Sequence, residues 1–342
     1  MLYNILKTYQ KGAFMYTEIL SRLSGTKLNK WERFIEKAGL LPDLLVEKTV
    51  IVWNEDEIAA TGSRYDNILK LIAVDPSHRG EDLTSTVISE LRRDAFGDGY
   101  RHLFLYTKPE NEAIFTSLFF YPIAKTEKVL LLEDKKDGIK QFVENLPLAS
   151  VSGRIGAIVM NCNPFTLGHR YLVERAAEEC DFLYVFILSE DKSEFLFEDR
   201  FEMVKLGTAH LQNVSVVETG PYLISSATFP AYFIKDRDSV ADAQCRLDIE
   251  VFIKHFVKPL GITHRYVGTE PLSPLTNAYN DALRRYLPEK GVELVEIQRK
   301  THGSEPISAS RVRQLISNKE YDGLGALLPE TTVNYLKQKG FI

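Results

Sequence analysis

Cysteine is scarce in this chain: Cys162, Cys180 and Cys245 are the only three among 342 residues. They form no CxxC pair and no zinc-ligand spacing, so neither a disulfide framework nor a structural zinc is expected. Three scattered thiols suit a reducing cytoplasm, where each is a small buried hydrophobe. Long apolar runs are also missing, and no stretch approaches the roughly 18 residues a membrane span needs. The opening MLYNILKTYQKG has no sustained apolar region and no small-residue cleavage site, so no signal peptide is expected. A cytoplasmic location follows as the expectation. Positive charge is not in excess: 42 Lys and Arg stand against 47 Asp and Glu, a net charge of −5. A chain that grips nucleic acid over a broad face is usually basic, so nucleic acid is not expected as the main partner.

The remaining composition is ordinary, with 44% hydrophobic and 26% charged residues. At 342 residues, two domains are the natural expectation. Up to about Leu41 the chain reads as helical, with Trp31, Phe34, Ile35 and Ala38 on one face and Gly39 placed as a C-cap. Strands are predicted at Lys48–Trp53, Ile58–Gly62, Ile68–Val74, Arg101–Tyr106 and Val129–Leu132, with helices at Thr84–Arg93 and Glu112–Phe120. Residues 1–135 therefore form a small α/β domain, and the charged stretch 136–152 reads as a short helix and linker.

From residue 153 to 342 strands and helices alternate. The strands are predicted at Ile155–Asn161, Phe182–Leu188, Val214–Val217, Arg265–Gly268 and Val292–Ile297. That rhythm implies a Rossmann-like parallel sheet with helices on both faces. Ligands of such sheets sit at the carboxyl ends of the strands, where the strand order switches.

The first of these strands runs through Asn163-Pro164-Phe165 into Thr166-Leu167-Gly168-His169 and a helix. A helix start offers free N–H groups and partial positive charge to phosphate oxygens. Gly168 lets a ligand lie against the backbone. Thr166 and His169 add a hydroxyl and an imidazole that donate to phosphate oxygens as pyrophosphate leaves. Near the end stand Ile307-Ser308-Ala309-Ser310-Arg311-Val312-Arg313. Either serine caps the following helix, and Arg313, one turn on from Ser310, suits a multi-point grip on phosphate. Lys192 and Arg200 follow the second strand as positive groups at the binding edge, with a solvated face as the competing reading. Gly268-Thr269-Glu270 follow another strand, where adenine or ribose would lie. Ser225–Phe233 (SSATFPAYF) are placed at a small-acid pocket.

The T-x-G-H segment paired with I-S-x-S-x-x-R resembles the nucleotidylyltransferase superfamily. Ala309 replaces that family's usual second serine. The N-terminal α/β domain resembles the GNAT fold, with Val74-Asp75-Pro76-Ser77-His78-Arg79-Gly80 matching its strand-to-helix segment. Two glycines usual in that loop are here Asp82 and Thr84. A carboxylate there opposes a pyrophosphate, so both a docking role and reception of a CoA-like arm stand open for this domain. The two domains in this order, together with Ser189-Glu190-Asp191 and Phe195–Arg200, resemble the citrate lyase ligases.

That resemblance implies an acid–thiol ligase that uses ATP, with Mg²⁺ carried by the nucleotide and no protein metal cage. Acetate becomes acetyl-AMP, and the acetyl group passes to the thiol of the CoA-derived arm on the citrate lyase acyl carrier subunit. His169 and Thr166 would stabilise the α-phosphate, and Ser308, Ser310 and Arg313 the departing pyrophosphate. Asn163, Pro164, Phe165 and Gly168 would form the nucleotide-binding turn. Competing readings are an acetate–tRNA ligase modifying a cytidine, a small-molecule adenylyltransferase, and a non-catalytic carrier-binding module.

Overall fold

In the computed structural model, described for residues 6–10, 13–223, 229–234, 240–270 and 274–342, the chain forms two compact units. One comprises residues 1–138 and 230–243, the other residues 139–229 and 244–342.

The first unit is built on a mixed sheet. Its strands are β1 (Leu6–Gln10), β2 (Ala13–Leu20), β3 (Lys48–Asn54), β4 (Glu57–Tyr65), β5 (Ile68–Val74), β6 (Phe104–Thr107), β7 (Tyr121–Lys125) and β8 (Leu130–Glu133). Their order across the sheet is β1-β2-β3-β4-β5-β6-β8-β7. Every neighbouring pair is antiparallel except β5 and β6. The helices are α1 (Gly25–Lys37), α2 (Leu83–Gly97) and α3 (Glu112–Ser117). Of the predicted face of α1, Trp31 and Ile35 are fully enclosed and Phe34 nearly so, whereas Ala38 ends the helix as its C-cap and is exposed. The Trp31 indole N–H donates to the Thr61 hydroxyl at 3.1 Å, which satisfies the ring's one polar atom in the core. Residues 6–10 and 13–20 were expected to be helical and instead pair as the edge hairpin of the sheet.

The parallel strands β5 and β6 pair only at Ile68–Phe104 and Leu69–Leu105, and then diverge. A cavity of about 670 Å³ opens beyond the point of divergence. Part of its lining comes from residues 232 and 233, which belong to this unit although they follow β11 of the other one in sequence. The Tyr232 hydroxyl donates to the Tyr106 carbonyl at 2.7 Å, and the Leu41 N–H donates to the Tyr232 carbonyl at 2.7 Å.

The second unit is the alternating one. Its strands are β9 (Ile155–Met160), β10 (Phe182–Ile187), β11 (Val214–Glu218), β12 (His264–Gly268) and β13 (Glu293–Ile297), all parallel, in the order β11-β10-β9-β12-β13. Its helices begin with α4 (Gly138–Glu144), α5 (Leu167–Glu179), α6 (Phe197–Thr208) and α7 (Val240–Phe252). A wide turn at Ile253–Val257 leads from α7 to the single turn α8 (Lys258–Leu260). The chain continues through α9 (Pro274–Tyr286), the small hairpin β14 (Thr301–His302) and β15 (Glu305–Pro306), α10 (Ala309–Ser317) and α11 (Glu330–Gln338).

Ile158, Met160, Val185, Ile187 and Tyr266 pack with Val173, Met203, Val312 and Leu336, so α5, α6, α10 and α11 cover one face. Val267 and Leu294 meet Ile249, Ala282 and Leu283 of α7 and α9 on the other. Burial on both faces is why the central strands β9 and β10 read as unbroken apolar runs. The stretch expected as a short helix and linker does contain the helix α4, whose Ile139 and Val143 are buried and whose Phe142 packs against Tyr222 and Phe256. The chain winds one way from β9 to β11 and the other way from β12 to β13. The switch point therefore falls between β9 and β12, and a ligand of this unit belongs at their carboxyl ends.

Candidate active site

β9 delivers the chain to that switch point and α5 starts there. Thr166 is the N-cap of α5, 1% exposed. Its hydroxyl accepts from the His169 N–H at 3.3 Å, and its own N–H donates to His169 Nδ1 at 3.1 Å. This is a capping box in which a histidine stands where Glu or Gln is usual. Because Nδ1 accepts a backbone N–H, the proton of the neutral ring sits on Nε2. Burial, and then the nearby Arg299 guanidinium, push the His169 pKa down to about 4. The ring is thus a neutral, oriented donor at a helix N-terminus.

The second motif meets the first through Gly168. A Cβ on Gly168 would lie 3.3 Å from the Ile307 carbonyl oxygen, so a side chain there would crowd the approach of residue 307. Ser308 is the N-cap of α10 and accepts from the Arg311 N–H at 3.1 Å. Arg313 ties the two motifs together: Nη1 donates to the Asn163 carbonyl at 2.6 Å and Nη2 to the Ser310 hydroxyl at 3.1 Å. Its Nε lies 3.7 Å from Glu194. The Asn163 side chain accepts from the Phe195 N–H at 3.1 Å and anchors the loop after β10. His169, Gly168, Asn163, Ser308, Ser310 and Arg313 therefore converge on one place.

Other expected site residues serve differently. Thr166 has its hydroxyl engaged in the cap, so it acts on the site by fixing His169. Phe165 is fully buried, stacked on His169 with ring centres 6.0 Å apart, and fills the space left by Gly207. Pro164 is buried beside it. Arg200, expected at the binding edge, is fully buried. It donates to the carbonyls of Phe195, Asn161, Leu188 and Glu190 and to Asn161 Oδ1. Those bonds commit the buried guanidinium to shaping the loop from Leu188 to Phe195. Lys192 is exposed on that loop. The Gly268 carbonyl accepts from the Asn280 side chain at 3.0 Å, which ties α9 to the end of β12. Residues 225–228 of the expected acid pocket lie outside the described residues.

One group was missed in the sequence. Arg299 lies two residues past β13, and its Nη1 donates to Glu270 Oε1 at 3.0 Å, the two side chains being 28% and 6% exposed. Nothing in an isolated Arg-Lys pair after a strand marks it, because its partner is 29 residues away.

In the first unit, Asp75, Arg79, Asp82, Thr84, Lys108 and Asn111 are among the polar residues lining the cavity. Lys37 and Ser77 hold the Asp75 carboxyl well below the usual carboxylate range. Asp82 precedes α2 with φ +53°, and its carboxylate caps nothing.

The second unit is thus a Rossmann-like five-stranded parallel sheet in which the starts of α5 and α10 meet at the switch point, and the first is a mixed α/β unit with one splayed parallel strand pair. Residues 155–336 match the family model described as the citrate lyase ligase C-terminal domain. The citrate (pro-3S)-lyase ligase of Klebsiella pneumoniae is 39% identical over 90% of this chain and 92% of its own length. That of Escherichia coli K12 is 38% identical over 95% and 94%. A solved structure, Thermotoga maritima TmcAL bound with α-thio ATP, shares 17% identity over 55% of this chain and 56% of its own, with a TM-score of 0.32. The chain belongs to the citrate lyase ligase family and is an enzyme of the acid–thiol ligase class. Among the described residues, no helix is long and apolar enough to cross a membrane.

Proposed function

We propose that this chain activates acetate with ATP and passes the acetyl group to the thiol of the CoA-derived arm on the acyl carrier subunit of citrate lyase. In the first step an acetate oxygen attacks the α-phosphorus of ATP, and the bond to the β-phosphate oxygen breaks. Acetyl-AMP and pyrophosphate result. In the second step the arm's thiolate attacks the acetyl carbon, and AMP leaves with the electron pair of the broken C–O bond.

The observation that carries this reading is the neutral His169, its Nε2–H fixed at the start of α5 beside the helix that bears Ser310 and Arg313. A neutral donor helps most where negative charge builds on non-bridging oxygens, and it needs no reorganisation to do so. The α5 N-terminus adds backbone N–H groups and its dipole. Ser308, Ser310 and Arg313 take the β- and γ-phosphates. Magnesium brought in with the nucleotide would supply charge neutralisation to the phosphates. Glu270 and Glu194, two carboxylates at the strand ends, face Arg299 and Arg313, which suits an ion held by the nucleotide. Arg79 and Lys108 in the first unit's cavity favour an anionic arm there, whereas Asp82 opposes it. The competing acetate–tRNA ligase reading needs a basic RNA-binding surface, and the net charge of −5 disfavours it.

The test is pyrophosphate release from ATP with and without acetate, then with deacetylated citrate lyase added. Acetate-dependent pyrophosphate, AMP formed only with the lyase, and recovered lyase activity are the expected results. ATP consumption that ignores acetate, or that requires tRNA or phosphopantetheine, overturns the reading.

A further inference from the structure

We infer that Arg299 is a phosphate-binding residue of the adenylating site, and that the buried Glu270 is its positioning residue. The inference rests on the adenylation reading and adds two residues to it.

Position comes first. β12 and β13 are parallel neighbours in register from His264–Glu293 to Gly268–Ile297. Glu270 lies two residues past the end of β12 and Arg299 two past the end of β13, so both stand at the carboxyl edge of the sheet. β12 also pairs with β9, whose end feeds the Thr166–His169 turn. The pair thus stands on the side of the switch point opposite the loop that follows β10.

Orientation comes next. The Arg299 N–H donates to the Thr269 hydroxyl at 3.1 Å, and the Thr269 N–H donates to the Ile297 carbonyl at 3.0 Å, which pins the two strand ends together. The following residue, Lys300, places its ammonium 5.6 Å from the centre of the Tyr171 ring on α5, two residues beyond His169. The segment carrying Arg299 therefore leans on the helix that carries the imidazole. The guanidinium charge is felt at His169, where it is the second cause of the ring's lowered basicity.

Charge completes the case. A carboxylate only 6% exposed beside a triphosphate site would repel the nucleotide if it stood alone. Arg299 cancels that charge, and Glu270 in return fixes the guanidinium plane. An arginine has five N–H donors, and Glu270 takes one of them in this structure. The side chain is 28% exposed, so further donors remain for a phosphate group. Arg313 reaches the site from α10, and its Nη1 and Nη2 each hold one bond there, to the Asn163 carbonyl and the Ser310 hydroxyl, whereas Arg299 comes from the end of β13.

The experiment compares full-length wild type with Arg299→Ala, Arg299→Lys, Glu270→Gln and the double variant Glu270→Gln/Arg299→Ala. Acetate-dependent ATP–pyrophosphate exchange and calorimetric ATP binding are both read, with melting curves for each protein. Arg299→Ala is expected to weaken ATP binding about tenfold or more and to lower kcat/KM for ATP about a hundredfold, with Lys recovering part of the loss. Glu270→Gln loses less, and the double variant stays as low as Arg299→Ala. If the pair is merely structural, removing both charges restores ATP binding and exchange, and that outcome overturns the inference. So does ATP binding by Arg299→Ala within about threefold of wild type in a folded protein. A wild type that binds ATP yet shows no acetate-dependent exchange defeats the adenylation reading instead, and the binding comparison still decides the role of Arg299.

Discussion

The backbone N–H of Thr166 donates to Nδ1 of His169 across 3.1 Å, and that one bond decides which nitrogen of the imidazole carries the proton. It also means that the ring reaches the site already neutral and already turned. Replacing His169 by Ala is expected to lower the rate of pyrophosphate formation about a hundredfold or more, the usual cost of one preorganised donor. Gln, which also presents an N–H, is expected to retain more activity than Ala. A loss below about fivefold in His169→Ala, read by initial pyrophosphate rates, would remove the imidazole from the chemistry.

The same ring sets a pH dependence. Its pKa falls from the ordinary 6.5 to about 4 on folding, so the unfolded chain binds more protons between those values. The stabilisation from the neutral ring is complete above 6.5 and is lost as the pH falls toward 4. Urea titrations should show stability declining more steeply between pH 6.5 and about 4.5 in wild type than in His169→Gln. Parallel declines would contradict the buried neutral ring.

The Thr166 hydroxyl caps α5. Thr166→Val keeps the backbone bond to Nδ1 and deletes only the hydroxyl. The expected cost is about 1 kcal/mol of stability with less than a tenfold fall in kcat. A larger rate loss with unchanged stability would return the hydroxyl to direct contact with the nucleotide.

Arg200 makes the opposite contrast. Substituting Met leaves four backbone carbonyls without their buried donor, at a cost of about 3 kcal/mol or more. The KM for ATP of the folded fraction is expected to stay within about threefold of wild type. Chemical denaturation read beside KM separates the two roles, since a phosphate ligand would shift KM and leave the midpoint in place.

In the first unit, Asp82→Gly removes a carboxylate from the cavity wall and suits the positive φ of that position. If the cavity takes an anionic CoA-like arm, CoA binding by calorimetry should tighten about tenfold in this variant. No gain would leave the unit as a docking or structural module.

The parallel sheet of the second unit was legible because its central strands β9 and β10 are buried on both faces and read as apolar runs, and because strands and helices alternate along the chain. The two phosphate motifs were legible because their residues are local, four positions in one and seven in the other. The first hairpin was not: residues 6–20 carry aromatic and aliphatic side chains at spacings that also suit a helix, and only pairing with β3 decides between them. β7 was hidden by Pro122, which reads as a stop, although the strand lies at the edge of the sheet where proline is tolerated. The Arg299–Glu270 pair needs two strand ends to meet in space. The roles of Thr166 and Arg200 turn on burial and hydrogen-bond geometry, which a single sequence does not encode in any local signal.

The first unit borrows residues 230–243 from beyond β11, and with them Tyr232 on its cavity wall. Neither unit is therefore a single uninterrupted piece of the gene. A cut after residue 138 would release a first unit lacking Tyr232, whose hydroxyl donates to the Tyr106 carbonyl, and a second unit trailing a segment that belongs elsewhere. No single cut in the chain therefore separates the two units intact.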